Sequence, residues 1–245
     1  MVVLFLIVFV VLTRSFWVKF FRFLRYVVQD TQKAKADRKQ GIVEFDQYGV
    51  KMFCGRQGYG KTIGIVWYLE GLRAKYPNLQ IYTNFGYTHE DGALTGLNDL
   101  LVYRNGTDGV VFAIDEIQNE FSSAASRNFP ESMLSTITMQ RKQRVTILCS
   151  SQVFARAAKP LREQCYEVVE CHTLAKRWTF LECFDAEDYN RYVDRVSEDN
   201  KAKVARKWRN SFVQSDELRG LYDTYQVVQR LSRDGFKTRV SVSDV

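Results

Sequence analysis

Residues 55–62 read Gly55-Arg56-Gln57-Gly58-Tyr59-Gly60-Lys61-Thr62. The spacing is that of a P-loop, G-x-x-x-x-G-K-[ST]. Its glycines let backbone N–H groups turn inward and cradle phosphate oxygens. Lys61 adds a point charge for the β- and γ-phosphates, and the Thr62 hydroxyl suits Mg²⁺. All eight residues are therefore candidate nucleotide contacts, with Thr62 also a metal ligand.

The flanking sequence fits the motif. Val50-Lys51-Met52-Phe53-Cys54 reads as a short buried strand that runs into the loop. Beyond it Ile63, Val66, Trp67, Leu69 and Leu72 recur at helical spacing until Pro77. Such a helix aims its N-terminus at the phosphates, where its dipole favours anions. A second motif follows. Gly109-Val110-Val111-Phe112-Ala113-Ile114 is an apolar run of parallel-strand type and ends in Asp115-Glu116, a Walker-B pattern. An acid at a strand's C-terminal end shares the sheet edge where open α/β sheets bind ligands. Asp115 is expected to serve Mg²⁺ and Glu116 to polarise the attacking water; the alternative is the start of a solvated helix. Val145-Thr146-Ile147-Leu148-Cys149-Ser150 is a third strand, followed by Ser151-Gln152. There Gln152 is either a sensor of the γ-phosphate or an ordinary turn residue.

With 245 residues and 46% apolar side chains, the chain is one α/β domain plus an appendage. A net charge of +7 favours an acidic partner, nucleic acid or an anionic membrane surface. Cysteines 54, 149, 165, 171 and 183 form no Cys-x-x-Cys pair, which fits structural thiols in a reducing compartment. His89 and His172 are too far apart in sequence to indicate a metal site.

Met1 to Leu12 is an unbroken apolar run. At ~1.5 Å per residue it spans about 18 Å, or about 27 Å if extended to Val18 with Arg14 snorkelling, against a hydrocarbon core of ~30 Å. Arg14, Lys19, Arg22 and Arg25 follow it and place the rest of the chain on the cytoplasmic side. The same residues face Phe16, Trp17, Phe20, Phe23, Leu24 and Val27 across a helical wheel, as in an interfacial helix. The expectation is a membrane-spanning or interfacial helix over 1–28 and a polar linker or solvated helix over 29–41. An ATPase core fills 42–185, opening with a hairpin from Val43 into the P-loop strand. A mostly helical extension fills 186–245. It carries a basic stretch, Lys201, Lys203, Arg206, Lys207 and Arg209 around Trp208, read as a solvated face or as a nucleic-acid contact. Tyr166–Cys171 and Trp178–Cys183 read as paired strands, and Pro130 to about Lys142 as a helix.

The order strand, P-loop, helix, strand, strand-Asp-Glu, helix, strand-Gln defines the expected fold class: an α/β P-loop NTPase of the additional-strand type with a mostly parallel central sheet. There is no Asn-Lys-x-Asp guanine-reading motif and no arginine-rich lid segment.

The strings 55–62, Tyr82-Thr83-Asn84, Ile114-Asp115-Glu116-Ile117-Gln118, Gln140-Arg141-Lys142-Gln143 and Ser150-Ser151-Gln152 resemble the ATPase domain of zonula-occludens-toxin-type proteins. These are similar to the assembly ATPases of filamentous phages, within the FtsK–HerA group. The resemblance spans about 43–185. It implies a membrane-bound ring motor, fuelled by ATP and Mg²⁺, that moves single-stranded phage DNA or a virion through an export channel. With the apolar N-terminal run, this gives the expectation of a single pass near the N-terminus in the host inner membrane, with the ATPase domain cytoplasmic. Glu116 is then the catalytic base, assisted by Lys61 and Gln152, with Asp115 and Thr62 on Mg²⁺. A neighbour's arginine completes such sites; Arg141, Arg144 and Arg162 are the candidates, with Arg162 preferred. Family members usually carry their membrane helix after the ATPase domain, whereas here the apolar segment comes first. The alternative is a nucleotide-gated membrane scaffold that recruits coat or secretion proteins without moving DNA.

Overall fold

The computed structural model describes residues 2–39, 43–130, 134, 137–195 and 204–222. The chain divides into two compact units, Met1–Val43 and Glu44–Val245.

The first unit is a single helix, α1, Val2–Lys39. The stretch expected as a polar linker continues this helix as far as Lys39. The expected membrane span is overturned: among the described residues, no helix is long and apolar enough to cross a membrane. From Arg14 onward the apolar sequence of the helix is broken by Lys19, Arg22, Arg25, Asp30, Lys33 and Lys35, so no long uncharged stretch forms. The run before Arg14 reaches only about 18 Å, short of a ~30 Å core. The burial of residues 1–13 lies outside the described residues. The single-pass location in a host membrane falls with the span.

The second unit is built on an eight-stranded sheet. Its strands are β1 Gly49–Cys54, β2 Gln80–Thr83, β3 Gly92–Ala93, β4 Val110–Ile114, β5 Val145–Ser151, β6 Cys165–Leu174, β7 Trp178–Asp185 and β8 Arg206–Val213. Their order is β3-β2-β4-β5-β1-β6-β7-β8. The pairings from β3 through to β6 are parallel, and β7 and β8 are antiparallel additions. Every residue of β4 and β5 is buried, the pattern of parallel strands covered on both faces.

Helix α2, Lys61–Lys75, covers one face through Ile63, Ile65, Val66, Leu69 and Leu72. A Cβ on Gly64 would lie 3.3 Å from Leu181 and 3.6 Å from Phe53, so the helix packs closely on the sheet. On the opposite face Met52, Phe112, Ile147, Phe154 and Leu161 form a core that also takes Ala186 from the helix Ala186–Arg195. The registers Cys54↔Ser151 and Ile114↔Cys149 bring the C-terminal ends of β1, β5 and β4 to one edge.

Two expectations change here. Residues 43–48 form no hairpin strand. Instead the Phe45 N–H donates to Thr107 O at 3.0 Å, and the Phe45 ring packs edge-on to Tyr76. The basic stretch is not helical where it is described, because Arg206 to Val213 pairs with β7 as an edge strand. Its charges are met by acids: Arg206 and Arg209 reach Glu182 at 3.0 and 3.4 Å, and Lys207 reaches Glu167 at 3.2 Å. Lys201 and Lys203 lie outside the described residues, as do 131–133, 135 and 136 of the helix expected from Pro130 to about Lys142; the described part of that stretch is helical at 134, 137–138 and 140–143.

Candidate active site

The P-loop follows β1 directly and passes into α2 at Lys61. Gly60 sits in the left-handed region at φ 82°, and a Cβ there would lie 2.5 Å from the Thr173 hydroxyl. A side chain there would press on the Thr173 side chain and take a backbone conformation that L-residues rarely adopt, so glycine suits the position. Thr173 also donates to Tyr59 O at 3.0 Å, so the β6–β7 hairpin braces the loop from outside.

The Walker acids form a network with the loop. Thr62 donates to Asp115 Oδ2 at 3.1 Å. Ser150, near the end of β5, donates to Asp115 Oδ1. Burial pushes the Asp115 carboxyl up, as does the Glu116 charge, while hydrogen bonds from Ser150 and Thr62 and the Lys61 charge pull it back down; the net direction is upward. The Asp115 backbone is fixed by Asn84: its N–H donates to Asn84 Oδ1 at 2.8 Å, and the Asn84 amide donates back to Asp115 O at 3.3 Å.

Glu116 adopts φ 53°, ψ 51°, a conformation uncommon for a residue with a side chain. Its N–H donates to Ser150 Oγ at 2.8 Å, so one hydroxyl serves both acids. Glu116 Oε1 stands 3.5 Å from Lys61 Nζ, and Oε2 accepts from the Gln118 side-chain amide. Non-glycine residues in sparsely populated backbone regions cluster at functional sites.

Of the residues expected from sequence, Lys61, Thr62, Asp115 and Glu116 thus meet in one network. Gln152 follows β5 at the same edge, where its side-chain oxygen accepts from Arg156 at 3.1 Å. With Gly55, Arg56 and Tyr59 it borders a cavity of about 650 Å³ that continues to His172 and Phe180. The candidate arginines lie at the far end of the sheet. Arg141 and Arg144 precede β5, where Arg144 binds Glu44 at 2.7 Å. Arg162 precedes β6, whose first residue pairs with Val50 of β1, and it donates to Asn190 at 2.6 Å. The sequence reading assigned no role to Ser150, Asn84 or Gln118. Their signal was their place in the strings that carry the resemblance, and their position at or just beyond a strand end on the same sheet edge.

Among the described residues, no group of three or more His, Cys, Asp or Glu side chains is arranged to hold a metal. The paired hard oxygens of Thr62 and Asp115 instead suit a cation that shares its shell with phosphate.

A parallel α/β sheet with a P-loop and a Walker acid pair on one edge defines the P-loop nucleoside-triphosphatase class. No family model and no curated protein matches this chain. Among solved structures it is similar to the N-terminal domain of zonular occludens toxin from Neisseria meningitidis, with a TM-score of 0.48 at 14% identity, over 71% of this chain and 98% of that one. It is also similar to the genome packaging NTPase B204 from Sulfolobus turreted icosahedral virus 2 in complex with ATP-gammaS, with a TM-score of 0.41 at 13% identity, over 57% of this chain and 93% of that one.

Proposed function

We propose that this chain is an ATP-hydrolysing motor of phage morphogenesis, driving DNA packaging or translocation, or the export of virions. The observation that carries hydrolysis is the double clasp on Asp115 by Thr62 and Ser150, with Glu116 set against Lys61. The phage context is supported by the motif strings that resemble zonula-occludens-toxin-type ATPases. The place of β5 between β1 and β4 supports the additional-strand form.

ATP and Mg²⁺ fit the residues present. Gly60 takes the left-handed backbone, φ 82°, that lets loop N–H groups turn inward, and Thr62 and Asp115 offer oxygen ligands. Bound together, they supply a polarised terminal phosphate. The loop N–H groups and Lys61 hold the phosphate oxygens. Lys61 gives up Glu116 in doing so, which leaves Oε1 to accept the proton of the attacking water. Gln152 orients that water or senses the γ-phosphate. Arg162 acts on the site of a neighbouring copy in a homo-oligomeric ring. The cargo is DNA, single-stranded phage DNA in the leading form, or coat protein.

The test is steady-state ATP hydrolysis by the full chain, with and without single- and double-stranded DNA, using Lys61→Ala as the blank. DNA-stimulated turnover is expected, and the preferred strand form separates export from duplex packaging. Turnover indifferent to both DNAs would reject the nucleic-acid motor in favour of an assembly scaffold. Glu116→Gln is expected to bind ATP normally and to lose turnover by about 10²-fold or more.

A further inference from the structure

Glu116 is held at both carboxylate oxygens, and the two partners differ in kind. Lys61, on Oε1, is a residue the phosphates will claim. Gln118, on Oε2, has no role toward phosphate and lies two residues beyond the acid it binds, in the short turn Ile117–Asn119. That turn begins at the left-handed Glu116, and this backbone geometry brings the Gln118 amide round to the carboxylate.

The other end of the Gln118 side chain is also informative. Its Oε1 is buried and has no hydrogen-bond partner. Buried amide oxygens are nearly always satisfied, so an exception calls for an explanation. Reversing the amide would not satisfy both ends, because it would set Oε1 against a carboxylate oxygen. The orientation follows from the charge on Glu116: the NH₂ must face it, and the oxygen is left over.

We propose that Gln118 is the positioning residue of the catalytic base. It fixes Oε2 so that Oε1 alone faces the water. The two oxygens therefore divide the work, one anchored and one reactive. This inference rests on the reading of Glu116 as the base.

The experiment measures ATP turnover for the wild type, Gln118→Ala, Gln118→Glu and Glu116→Gln, with the affinity for a fluorescent ATP analogue in parallel. Gln118→Glu keeps the side-chain volume, so a packing defect in Gln118→Ala does not decide the outcome. Loss of the donor is expected to lower kcat about tenfold and leave KM for ATP within about twofold. Gln118→Glu, which sets a second carboxylate where the amide donor stood, should lower kcat at least as far. An unchanged kcat in both Gln118 variants would overturn the proposal, as would a change confined to KM. If Glu116→Gln turned over like the wild type, the base assignment itself would fail. If Glu116→Gln is inactive and both Gln118 variants behave as wild type, only the role of Gln118 is rejected.

Discussion

Lys51 is the middle of the strand that delivers the P-loop, and it is only 4% exposed. Its ammonium is 2.8 Å from Glu167 on β6, hydrogen-bonds to the Tyr68 hydroxyl at 2.8 Å, and lies 4.3 Å from the centre of the Tyr68 ring. Replacing Lys51 with Met leaves Glu167 buried without its main partner. Removing one member of a buried pair costs about 3–5 kcal/mol. Lys207 remains 3.2 Å from Glu167, so the low end is expected, about 3 kcal/mol. Replacing both members with uncharged groups of similar volume is often close to neutral, so adding Glu167→Gln should recover about 2 kcal/mol of that loss. Urea unfolding reads this directly: at a slope of ~2–3 kcal/mol/M, Lys51→Met moves the midpoint down by about 1–1.5 M and the double variant restores most of it. The effect depends on pH. Burial raises the Glu167 carboxyl, but the charges and hydrogen bonds of Lys51 and Lys207 outweigh it and hold the group below its ordinary value. Its contribution is therefore complete above the ordinary carboxylate range and lost as pH falls through the lowered value. Burial lowers the Lys51 ammonium, while Tyr68, Tyr166 and Glu167 raise it further, so its share is lost only above the ordinary lysine range. The gap between wild type and Lys51→Met should be constant near neutrality and close in acid. A double variant no more stable than the single one, or a gap unchanged in acid, would refute this account.

Two further predictions concern the catalytic edge and its support. Ser150→Ala removes the hydroxyl shared by Asp115 and the Glu116 N–H, and should cost about 1–3 kcal/mol in urea unfolding and lower Mg²⁺-dependent turnover. The Asp115 carboxyl already lies above its ordinary value, so its stability penalty accumulates as pH rises from the ordinary carboxylate range to that raised value. Losing Ser150 raises it further, so the deficit of the variant should be constant below the wild-type value and grow as pH rises above it; a deficit that shrinks would contradict the hydrogen-bond assignment. Gly109→Ala forces a side chain onto φ +79° with its Cβ 2.2 Å from Phe45, so left-handed strain of about 1 kcal/mol and overpacking of about 1–3 kcal/mol should sum to about 2–4 kcal/mol of lost stability, read as a lower urea midpoint.

The nucleotide loop was legible because its chemistry is local: the glycines, the lysine and the threonine are contiguous, and the strand before them is a plain apolar run. The runs at 110–114 and 145–151 were legible for a related reason, since a parallel strand buried on both faces needs no alternation. The edge strand β8 was not. Arg206 to Val213 is exposed along most of its length, so its pairing with β7 decides its conformation and its own pattern does not. The turn into β7 was hidden as well. Ala175 and Lys176 both take positive φ, 49° and 58°, without the asparagine or glycine that usually announces such a turn. The apolar N-terminal run suggested a span, but its uncharged stretch ends at Arg14 and the helix beyond carries Lys19, Arg22 and Arg25.

Ser150 shows why the inserted strand matters to the chemistry. Were β1 and β4 neighbours, no side chain from a third strand would stand between the P-loop and the Walker acids. With β5 between them, one hydroxyl near its end reaches both the Asp115 carboxylate and the Glu116 N–H. Gln152 lies two residues further along the same chain, at the same edge. A short, hydrogen-bonded segment thus joins Gln152 to the backbone of Glu116. Ser150→Ala should uncouple the sensor and the base proposed for this site: it should weaken the dependence of turnover on Gln152 as well as lowering turnover itself. A cycle of Ser150→Ala, Gln152→Ala and the double variant measures this. A double variant whose loss is the product of the single losses would show that the two residues act independently.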